Sequence, residues 1–527
     1  MIRFLSVVIF VAASMAIAVV GDSLPVMAAD TVSFSGAVPM TVEELEVVHV
    51  EGRAPTLLFK TAPEPAPPRR VRPHEPRLNL LDRIVAIEGE KNCEMTTERS
   101  GGRLTLQAHS LDASPCRCVI SLAADGTALD ALSYQVMALR GEVSAPVSFA
   151  LADTRTGLEG AQPFLDPGAG SFDITVPLKA AAKSIDLRDV IALVITPQQG
   201  GVSIRFDELT LATTSLAATP DRRMGFWVWD YRHATAHPAS LLEACRSVLC
   251  NRLAVQMPAL DESEEIWLGY ANLLQAAQER GIEAFALDGY PEAIFDPHPL
   301  IAKVERLRTV LQGRLPSGVQ LDIEPYLLDG FFNDSTGFTK YLDVHARVKR
   351  ALSRQARLSM VMPFWLTSQF TGNRAVAFAV MDLADEVALM SYRTDPDELR
   401  ELVDDSLRYA DLIGRPVWLG AETRALPLEE HVRLQRVTRR ELATAYLNRD
   451  ERQLVLTPPP RGHNQDWFRI IQRTTVHPAR LTFSGQSRAQ VQRMLHTLNR
   501  AVHNSSFAGV LIHDYAGFFA LPEQGAP

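Results

Sequence analysis

The chain has 527 residues, of which 46% are hydrophobic and 22% charged, and its formal net charge is −9. A chain of this length exceeds the size of one ordinary hydrophobic core, so two or more domains are expected. The acidic balance, without a clustered basic patch, argues against a nucleic-acid partner, because phosphate contacts need grouped Lys and Arg side chains.

The N-terminus has the features of a secretory signal peptide over residues 1–29. Arg3 gives a positive start, an apolar stretch covers 4–20, and small residues lead to the expected cleavage points Ala28 and Ala29. An uncleaved membrane anchor is the alternative, because this stretch lies at the short end of what spans a bilayer. We expect export to the periplasm or out of the cell, with no membrane contact beyond the signal peptide.

Export permits disulfide bonds. Cys245 and Cys250 are close enough in sequence to close a small loop at a helix end. Cys93 could pair with either Cys116 or Cys118, which would leave one thiol over.

Residues 30–78 are interpreted as a Pro-rich linker because of TAPEPAPPRRVRPHEP (61–76). Residues 79–215 contain short alternating runs between turn residues, which predicts an antiparallel β-sandwich. The last run, IRFDELTLA (204–212), resembles the final strand of jelly-roll carbohydrate-binding modules. That resemblance implies sugar binding through exposed aromatic side chains, and a domain that serves packing alone is the alternative. The aromatic residues available are Tyr134, Phe149, Phe164, Phe172 and Phe206.

Residues 222–522 alternate strand-like and helical runs, and eight such units predict a TIM (β/α)8 barrel. Helices are expected between the strands, among them 270–281, 299–313 and 486–504. The longest connection, between strands seven and eight, is expected to carry two helical stretches and an irregular part (456–468) that could cap the barrel mouth. The predicted strands are 225–229, 252–258, 283–289, 318–324, 357–364, 386–392, 416–422 and 509–515.

The active site of such a barrel lies at the C-terminal ends of its strands, and here these ends carry mainly carboxylates and aromatic rings. Sugars present hydroxyl groups and apolar CH faces, which suit those two kinds of side chain. A carbohydrate is therefore the expected partner, no cofactor is expected, and no oligomeric state is predicted. The candidate substrate-binding residues are Tyr392, Asp288, Tyr326, Trp229, Trp365 and Asp514.

Strands four and seven can be sorted by their period of two. In VQLDIEPY (319–326), Gln320, Asp322 and Glu324 share the face that should point into the barrel. In PVWLGAETR (416–424), Glu422 falls on the inward face. A glycosidase needs two such carboxyl groups, one to protonate the leaving oxygen and one to attack or to activate water. Asp322 is expected to raise the pKa of Glu324, since two carboxylates on one face repel.

The Glu-Pro ending of strand four (IEP, 323–325), with a glutamate ending strand seven, resembles the clan A glycoside hydrolases. That resemblance implies a retaining mechanism with Glu324 as acid/base and Glu422 as nucleophile. Ile323 stands where that clan has Asn.

LDIE (321–324) and LMSY (389–392) resemble motifs of the chitinase-like family-eighteen barrels. That resemblance implies Glu324 as the general acid, Asp322 as the group that orients a substrate acetamido nucleophile, and Tyr392 as its second contact. Ser317 and Gln320 stand at the two earlier aspartate positions of that motif. Both resemblances cover the C-terminal part of the chain, and both assign Glu324.

Two alternatives to a glycosidase are kept. HATAHP (233–238) resembles the metal motif of polysaccharide deacetylases, which would place zinc on His233 and His237 with Asp230. A barrel that binds a cell-envelope polysaccharide without cutting it is the other. The favoured prediction is a metal-free glycoside hydrolase acting on a polysaccharide or oligosaccharide, with Glu324, Glu422 and Asp322 as its catalytic residues.

Overall fold

The computed structural model describes residues 31–33, 38, 41–51, 55–60, 67–112, 115–198, 200–214, 223–313, 316–328, 330–352, 356–460 and 466–523. The expected signal peptide (1–29) lies outside these residues. Within them, no helix combines the length and the apolar character needed to cross a membrane.

Three strands precede the sandwich: β1 (Thr31–Ser33), β2 (Glu44–Val50) and β3 (Thr56–Lys60). β2 buries Leu45 and Val47 and pairs with β3 in antiparallel register. The interpretation of 30–78 as a linker therefore has to be corrected, because this segment contains a paired strand with a buried face.

Two sheets facing each other follow, and most of their strand pairs are antiparallel. One contains β13-β12-β15-β10-β4 with β6 and β9 alongside, and the other β14-β11-β16-β8-β7 with β5 alongside. The jelly-roll topology stays a prediction. The elements are β4 (Arg69–Val71), β5 (Arg77–Asn79), β6 (Ala86–Gly89), β7 (Cys93–Ser100), β8 (Arg103–Ser110), β9 (Cys118–Ser121), β10 (Thr127–Leu129), β11 (Val136–Val143), β12 (Val147–Asp153), β13 (Pro163–Leu165), β14 (Gly170–Pro177), α1 (Leu178–Ala181), β15 (Val190–Pro197) and β16 (Gly201–Ala212).

The aromatic side chains of the sandwich serve its core. Phe149 lies 6.0 Å from Phe172 and 5.9 Å from Phe206, ring centre to ring centre, so the three rings join the two sheets. Tyr134 is also buried, and its hydroxyl donates to the backbone oxygen of Glu75. These four rings are therefore not the exposed aromatic surface that sugar binding by this domain would use.

Eight parallel strands close a barrel in the order β17-β18-β19-β20-β21-β24-β25-β30. All eight coincide with the predicted strands to within a few residues at each end, which confirms the barrel. Its elements are β17 (Arg223–Val228), α2 (Tyr231–Ala236), α3 (Pro238–Ser247), β18 (Arg252–Gln256), α4 (Glu264–Glu279), β19 (Glu283–Asp288), α5 (His298–Val310), β20 (Gly318–Leu321), α6 (Gly337–Leu352), β21 (Arg357–Pro363), β22 (Phe370–Thr371), β23 (Arg374–Ala375), α7 (Val376–Leu383), β24 (Glu386–Met390), α8 (Pro396–Ile413), β25 (Val417–Glu422), β26 (Glu429–Arg436), β27 (Ala445–Asn448), β28 (Gln453–Val455), β29 (Trp467–Val476), α9 (Pro478–Leu481), α10 (Arg488–Ala501), β30 (Phe507–His513) and α11 (Tyr515–Ala520).

Local capping sets the ends of the barrel helices. In α8, the Asp395 side chain accepts hydrogen bonds from the backbone of Asp397 and Glu398, both at 2.9 Å. The helix ends at Gly414, whose φ of 69° is a left-handed conformation that glycine adopts without strain. Similarly, α10 begins with a capping box between Ser487 and Gln490.

The barrel interior is apolar in the middle and charged at the N-terminal end. Trp227, Phe285 and Trp418 lie in one interior cluster. Below them, the fully buried Arg252 pairs with Glu386 and lies 3.8 Å above the Phe285 ring. This closed end leaves the opposite mouth for the site.

The longest connection of the barrel, between β25 and β30, differs from its prediction. The predicted last helix is present as α10, but most of the remainder forms strands β26 to β29 instead of a further helical stretch. These strands join the N-terminal segment in one sheet of order β1-β28-β27-β29-β26-β2-β3. We call this sheet the cap. Its two halves are far apart in the chain, so neither half by itself predicts the pairing.

The cysteine pairs agree with the sequence expectation. Cys93 is bonded to Cys116, and Cys245 is bonded to Cys250 just after α3. Cys118 remains a buried free thiol.

Candidate functional site

The end of β20 carries the first part of the site. Gln320 points into the barrel, where it accepts a hydrogen bond from Trp227 Nε1 at 2.6 Å. Val319 and Leu321 pack instead in the core between the barrel and its helices. The predicted sorting of strand four is therefore confirmed, and Asp322 follows Gln320 on the inward face at the mouth.

Asp322 and Glu324 form a carboxyl pair in which Glu324 is buried and Asp322 is half-buried. Burial and the charge of Asp322 raise the pKa of Glu324 well above its usual range, against the opposing hydrogen bond from Tyr326. Burial likewise raises the pKa of Asp322 to about 6, against the positive charge of His513. Asp322 Oδ1 is inaccessible to solvent and has no hydrogen-bond partner among the described residues. The pair thus combines a carboxyl group whose protonated form is favoured with a carboxylate oxygen that lacks a partner among the described residues.

Two of the predicted sugar-stacking rings are buried against each other. Tyr326 and Trp365 meet edge to face, with ring centres 5.0 Å apart. The Tyr326 hydroxyl donates to Glu324 Oε1 at 2.9 Å. Tyr326 therefore holds Glu324 in place, and both rings are too buried to offer much surface to a sugar.

Tyr392, at the end of strand six, lies among the acids of the site. Burial and the charges of Glu422, Asp322, Glu324 and Asp514 raise the pKa of its hydroxyl well above the usual range. The hydroxyl therefore keeps its proton and can donate a hydrogen bond. Its interactions with acids from strands four, seven and eight place these strand ends around one space.

Glu422 ends β25 and is held by several donors. Its Oε1 accepts hydrogen bonds from the backbone N–H groups of Thr423, at 2.8 Å, and Arg424, at 2.7 Å. Its Oε2 pairs with His513 Nδ1 at 2.6 Å. Leu419 and Ala421 pack outward, as the sorting of strand seven predicts.

His513 is a site residue that the sequence analysis did not select. It ends β30, where Leu511 lies in the barrel interior and Val510 and Ile512 lie in the outer core. The same period of two that selected Glu324 places His513 inward. Its partner Glu422 lies on another strand, so the sequence offered no sign of the pair.

The two remaining predicted acids, Asp288 and Asp514, form ion pairs and hydrogen bonds with neighbouring residues. Asp288 is buried and forms an ion pair with Lys303. Asp514 caps α11 through a hydrogen bond from Gly517 N at 2.8 Å, and it also pairs with Arg424 at 2.6 Å.

A cavity of about 730 Å³ opens beside strands one, seven and eight. Trp229, Glu422 and His513 belong to its wall, while Val50 and Glu429 close it from the cap. Its walls do not include Asp322 or Glu324, which lie beyond His513. The site therefore has two parts: the carboxyl pair at strand four, and this cavity.

The residues of the deacetylase-like motif lie on and beside α2. His233 and His237 lie in and just after α2 with ring centres 4.9 Å apart, and the Asp230 side chain caps that helix through His233 N. Among the described residues, no group of three or more His, Cys, Asp or Glu side chains is arranged to hold a metal ion.

No protein-family model and no curated protein matches the chain. Among solved structures, the chain is similar to a class V chitinase from Pseudomonas fluorescens, at 13% identity and a TM-score of 0.32, over 57% of this chain and 98% of that one. It is also similar to the spore cortex-lytic enzyme SleL of Bacillus cereus, at 11% identity and a TM-score of 0.33, over 66% of this chain and 80% of that one. A family 11 carbohydrate-binding module of a Clostridium thermocellum cellulase matches 24% of this chain and 87% of its own length, at 11% identity and a TM-score of 0.19.

Proposed function

We propose that the protein is a glycoside hydrolase acting on a polysaccharide or oligosaccharide, with Glu324 as its general acid. The observation that carries the proposal is the carboxyl pair at the mouth of the barrel, with Glu324 buried and Asp322 half-buried beside it. Placing two carboxyl groups side by side away from water is energetically unfavourable. A carboxyl group in a cleft whose pKa is strongly shifted is therefore a candidate for a functional residue.

Glu324 has the protonation state that the reaction requires. Its raised pKa favours the protonated carboxyl group, whose proton can pass to the glycosidic oxygen as the bond to the anomeric carbon breaks. Tyr326 holds one oxygen of the carboxyl group in place. Burial in an apolar pocket likewise keeps the catalytic acid of lysozyme protonated.

Asp322 and Tyr392 support the route in which a substrate acetamido group attacks the anomeric carbon. The unpartnered Asp322 Oδ1 can accept a hydrogen bond from the amide N–H, and the protonated Tyr392 hydroxyl can donate one to the amide carbonyl. The attack closes a ring between the acetamido oxygen and the anomeric carbon, while the leaving oxygen takes the proton of Glu324. Water then opens this cyclic intermediate, with the Glu324 carboxylate as base. This route needs no second carboxylate at the anomeric carbon.

The contacts of Glu422 do not favour the role of nucleophile, and the acetamido route does not require one from it. Two backbone N–H groups and His513 hold its oxygens, so attack on a sugar would require one of these partners to be released. A covalent sugar adduct on Glu422, found by mass spectrometry after treatment with a fluorosugar substrate, would favour the nucleophile role instead.

The proposal is tested with a panel of neutral, N-acetylated and acidic glycans and the Glu324→Gln variant. We expect the wild type to cleave an N-acetylated glycan and the variant to lose about 10²–10⁴-fold in rate, because proton donation is lost while shape is kept. Glu264→Gln, an exposed carboxylate in the first turn of α4, is the control and should be fully active. Binding of a glycan by both forms without turnover would instead support the non-catalytic polysaccharide-binding barrel.

A further inference from the structure

His513 has a buried ring nitrogen that plays no part in the proposed glycoside hydrolysis. The residue is only 6% exposed, and its Nδ1 is engaged by Glu422. Its Nε2 is inaccessible to solvent and has no hydrogen-bond partner in the described part of the chain. A buried polar atom without a partner is unfavourable, and His513 belongs to the wall of the cavity, so this nitrogen indicates a ligand.

The ring is held in one orientation. Glu422 is itself fixed by the backbone N–H groups of Thr423 and Arg424, and its other oxygen pairs with His513 Nδ1. Three aromatic rings surround the imidazole at 5.9–6.0 Å between ring centres, those of Trp227, Trp229 and Tyr392. Because Nδ1 is fixed by Glu422, the direction of Nε2 is fixed as well.

The charges around His513 make it a donor. Burial by itself would lower its pKa, but Glu422, Asp514 and Asp322 together raise it above the usual range. These charges favour the protonated imidazole, in which Nε2 carries a hydrogen. Asp322 Oδ1, which also lacks a hydrogen-bond partner in the described part of the chain, is an acceptor that interacts electrostatically with His513.

We propose that His513 is a substrate-binding residue, which donates a hydrogen bond from Nε2 to a hydroxyl oxygen of a neutral sugar unit bound in the adjoining cavity. Glu422 is the positioning residue that orients it. The inference rests on the proposed glycosidase function and adds a subsite and a ligand class to it.

The cavity favours a neutral sugar over an acidic one. Its wall contains four carboxylate side chains, Asp230, Glu422, Glu429 and Asp514, against the cationic groups of Arg232, Arg424 and the protonated His513. Arg424 and His513 are already paired with carboxylates. A uronate would therefore meet an excess of negative charge, whereas a hydroxyl group can accept from His513 and donate to a carboxylate.

The test uses the full mature chain in a Glu324→Gln background, so that binding is measured without turnover. The probes are a β-1,4-linked N-acetylglucosamine tetramer and a galacturonate tetramer, measured by calorimetry. We expect the neutral tetramer to bind more tightly, and His513→Leu to weaken it about 10-fold or more, as expected for loss of a buried hydrogen bond. His513→Gln should recover part of the affinity, and His496→Gln, an exposed histidine on α10, should change nothing.

Binding should also depend on pH through His513. Above its raised pKa the imidazole loses the Nε2 hydrogen. At pH values above about 7, where Asp322 with its pKa of about 6 is mainly ionised, affinity should therefore fall with rising pH in the parent and stay flat in His513→Gln. Glu422, Asp514, Asp322 and Tyr392 face the ring and are unchanged in that variant. Equal affinity of the His513→Leu form, a preference for the uronate, or absence of any neutral-glycan binding overturns the inference. Because cleavage by the wild type is scored separately, these outcomes are distinguishable from failure of the glycosidase proposal.

Discussion

Asp322 and Glu324 are carboxyl groups two positions apart, yet their surroundings give them different protonation states. Asp322 is close to the positive charge of His513, which partly offsets its burial and leaves its pKa at about 6. Glu324 has the negative Asp322 as its neighbour, so its pKa rises further. Environments that separate the pKa values of two neighbouring acids are how one site assigns an acid and a base.

We therefore expect kcat/KM to follow a bell-shaped dependence on pH. The rising limb should lie near pH 6, where Asp322 becomes able to accept a hydrogen bond, and the falling limb should mark loss of the Glu324 proton. In Asp322→Asn, activity should fall and the limb near pH 6 should disappear. The measurement is kcat/KM against pH for both forms. A limb that persists unchanged in Asp322→Asn would remove Asp322 from the mechanism.

At the scale of elements, the contact between β2 and β26 turns two remote segments into one wall of the cavity. His431 of β26 is buried between Glu46 of β2, at 3.0 Å, and Glu429, at 2.6 Å. Burial alone would lower its pKa, but the two glutamates raise it to about 9. Glu429 also lines the cavity, so this charged contact connects the cap to the site.

The cap should therefore loosen in alkaline solution. A histidine whose pKa is raised by folding contributes stability that is complete below its ordinary pKa, about 6.5, and lost as pH rises through its folded value, here about 9. Over that interval the contribution is at most about 3 kcal/mol. His431→Gln should lower the melting temperature at pH 6 and reduce its dependence on pH.

Thermal melting between these pH values, with hydrogen exchange of the β2 amides, measures this effect. His477→Gln, an exposed histidine after β29, should behave like the wild type. A melting temperature at pH 6 that His431→Gln leaves unchanged would show that the buried imidazole contributes nothing to the cap.

At the scale of the whole molecule, buried ion pairs join the sandwich to the barrel. Arg188 of the sandwich bonds Asp186 at 2.6 Å and Asp405 of α8 at 2.9 Å. Arg408 of the same helix bonds Asp130 of the sandwich at 2.8 Å. Both guanidinium groups are nearly inaccessible, which fixes the geometry of the contact because an unpaired charge there would be costly.

Asp405→Asn should weaken this contact by about 2 kcal/mol, because it removes the charge shared by Arg188 and Arg408 at a partly exposed position. Urea unfolding measures the change, and Asp397→Asn, an exposed acid on the same helix, should shift stability by less than about 0.5 kcal/mol. The two arginines hold the pKa of Asp405 below its usual range despite its burial. Its contribution is therefore present above about pH 4 and lost as the pH falls further. Equal midpoints for Asp405→Asn and the wild type would show that the contact does not stabilise the molecule.

The sequence by itself determined the barrel and the inward position of its key acids. A parallel strand buried on both faces is an apolar run, and its period of two sorts side chains before any tertiary contact is known. Gln320, Val319 and Leu321 follow that sorting, as do Leu419 and Ala421. The eight residues VQLDIEPY (319–326) are therefore sufficient to predict Glu324 at the barrel mouth.

Only the tertiary structure decided what each acid meets. The pairing of β2 with β26 brings Glu46 to His431, which is 385 positions away in the chain. The contact between Glu422 and His513 joins residues that are 91 positions apart. No local pattern encodes such partners, because alternation specifies which face a side chain takes and not which strand lies opposite. The same limit explains why the sequence of 30–78 predicts a linker. The apolar face of β2 is buried only when β26 pairs with it, and β26 lies far away in the chain.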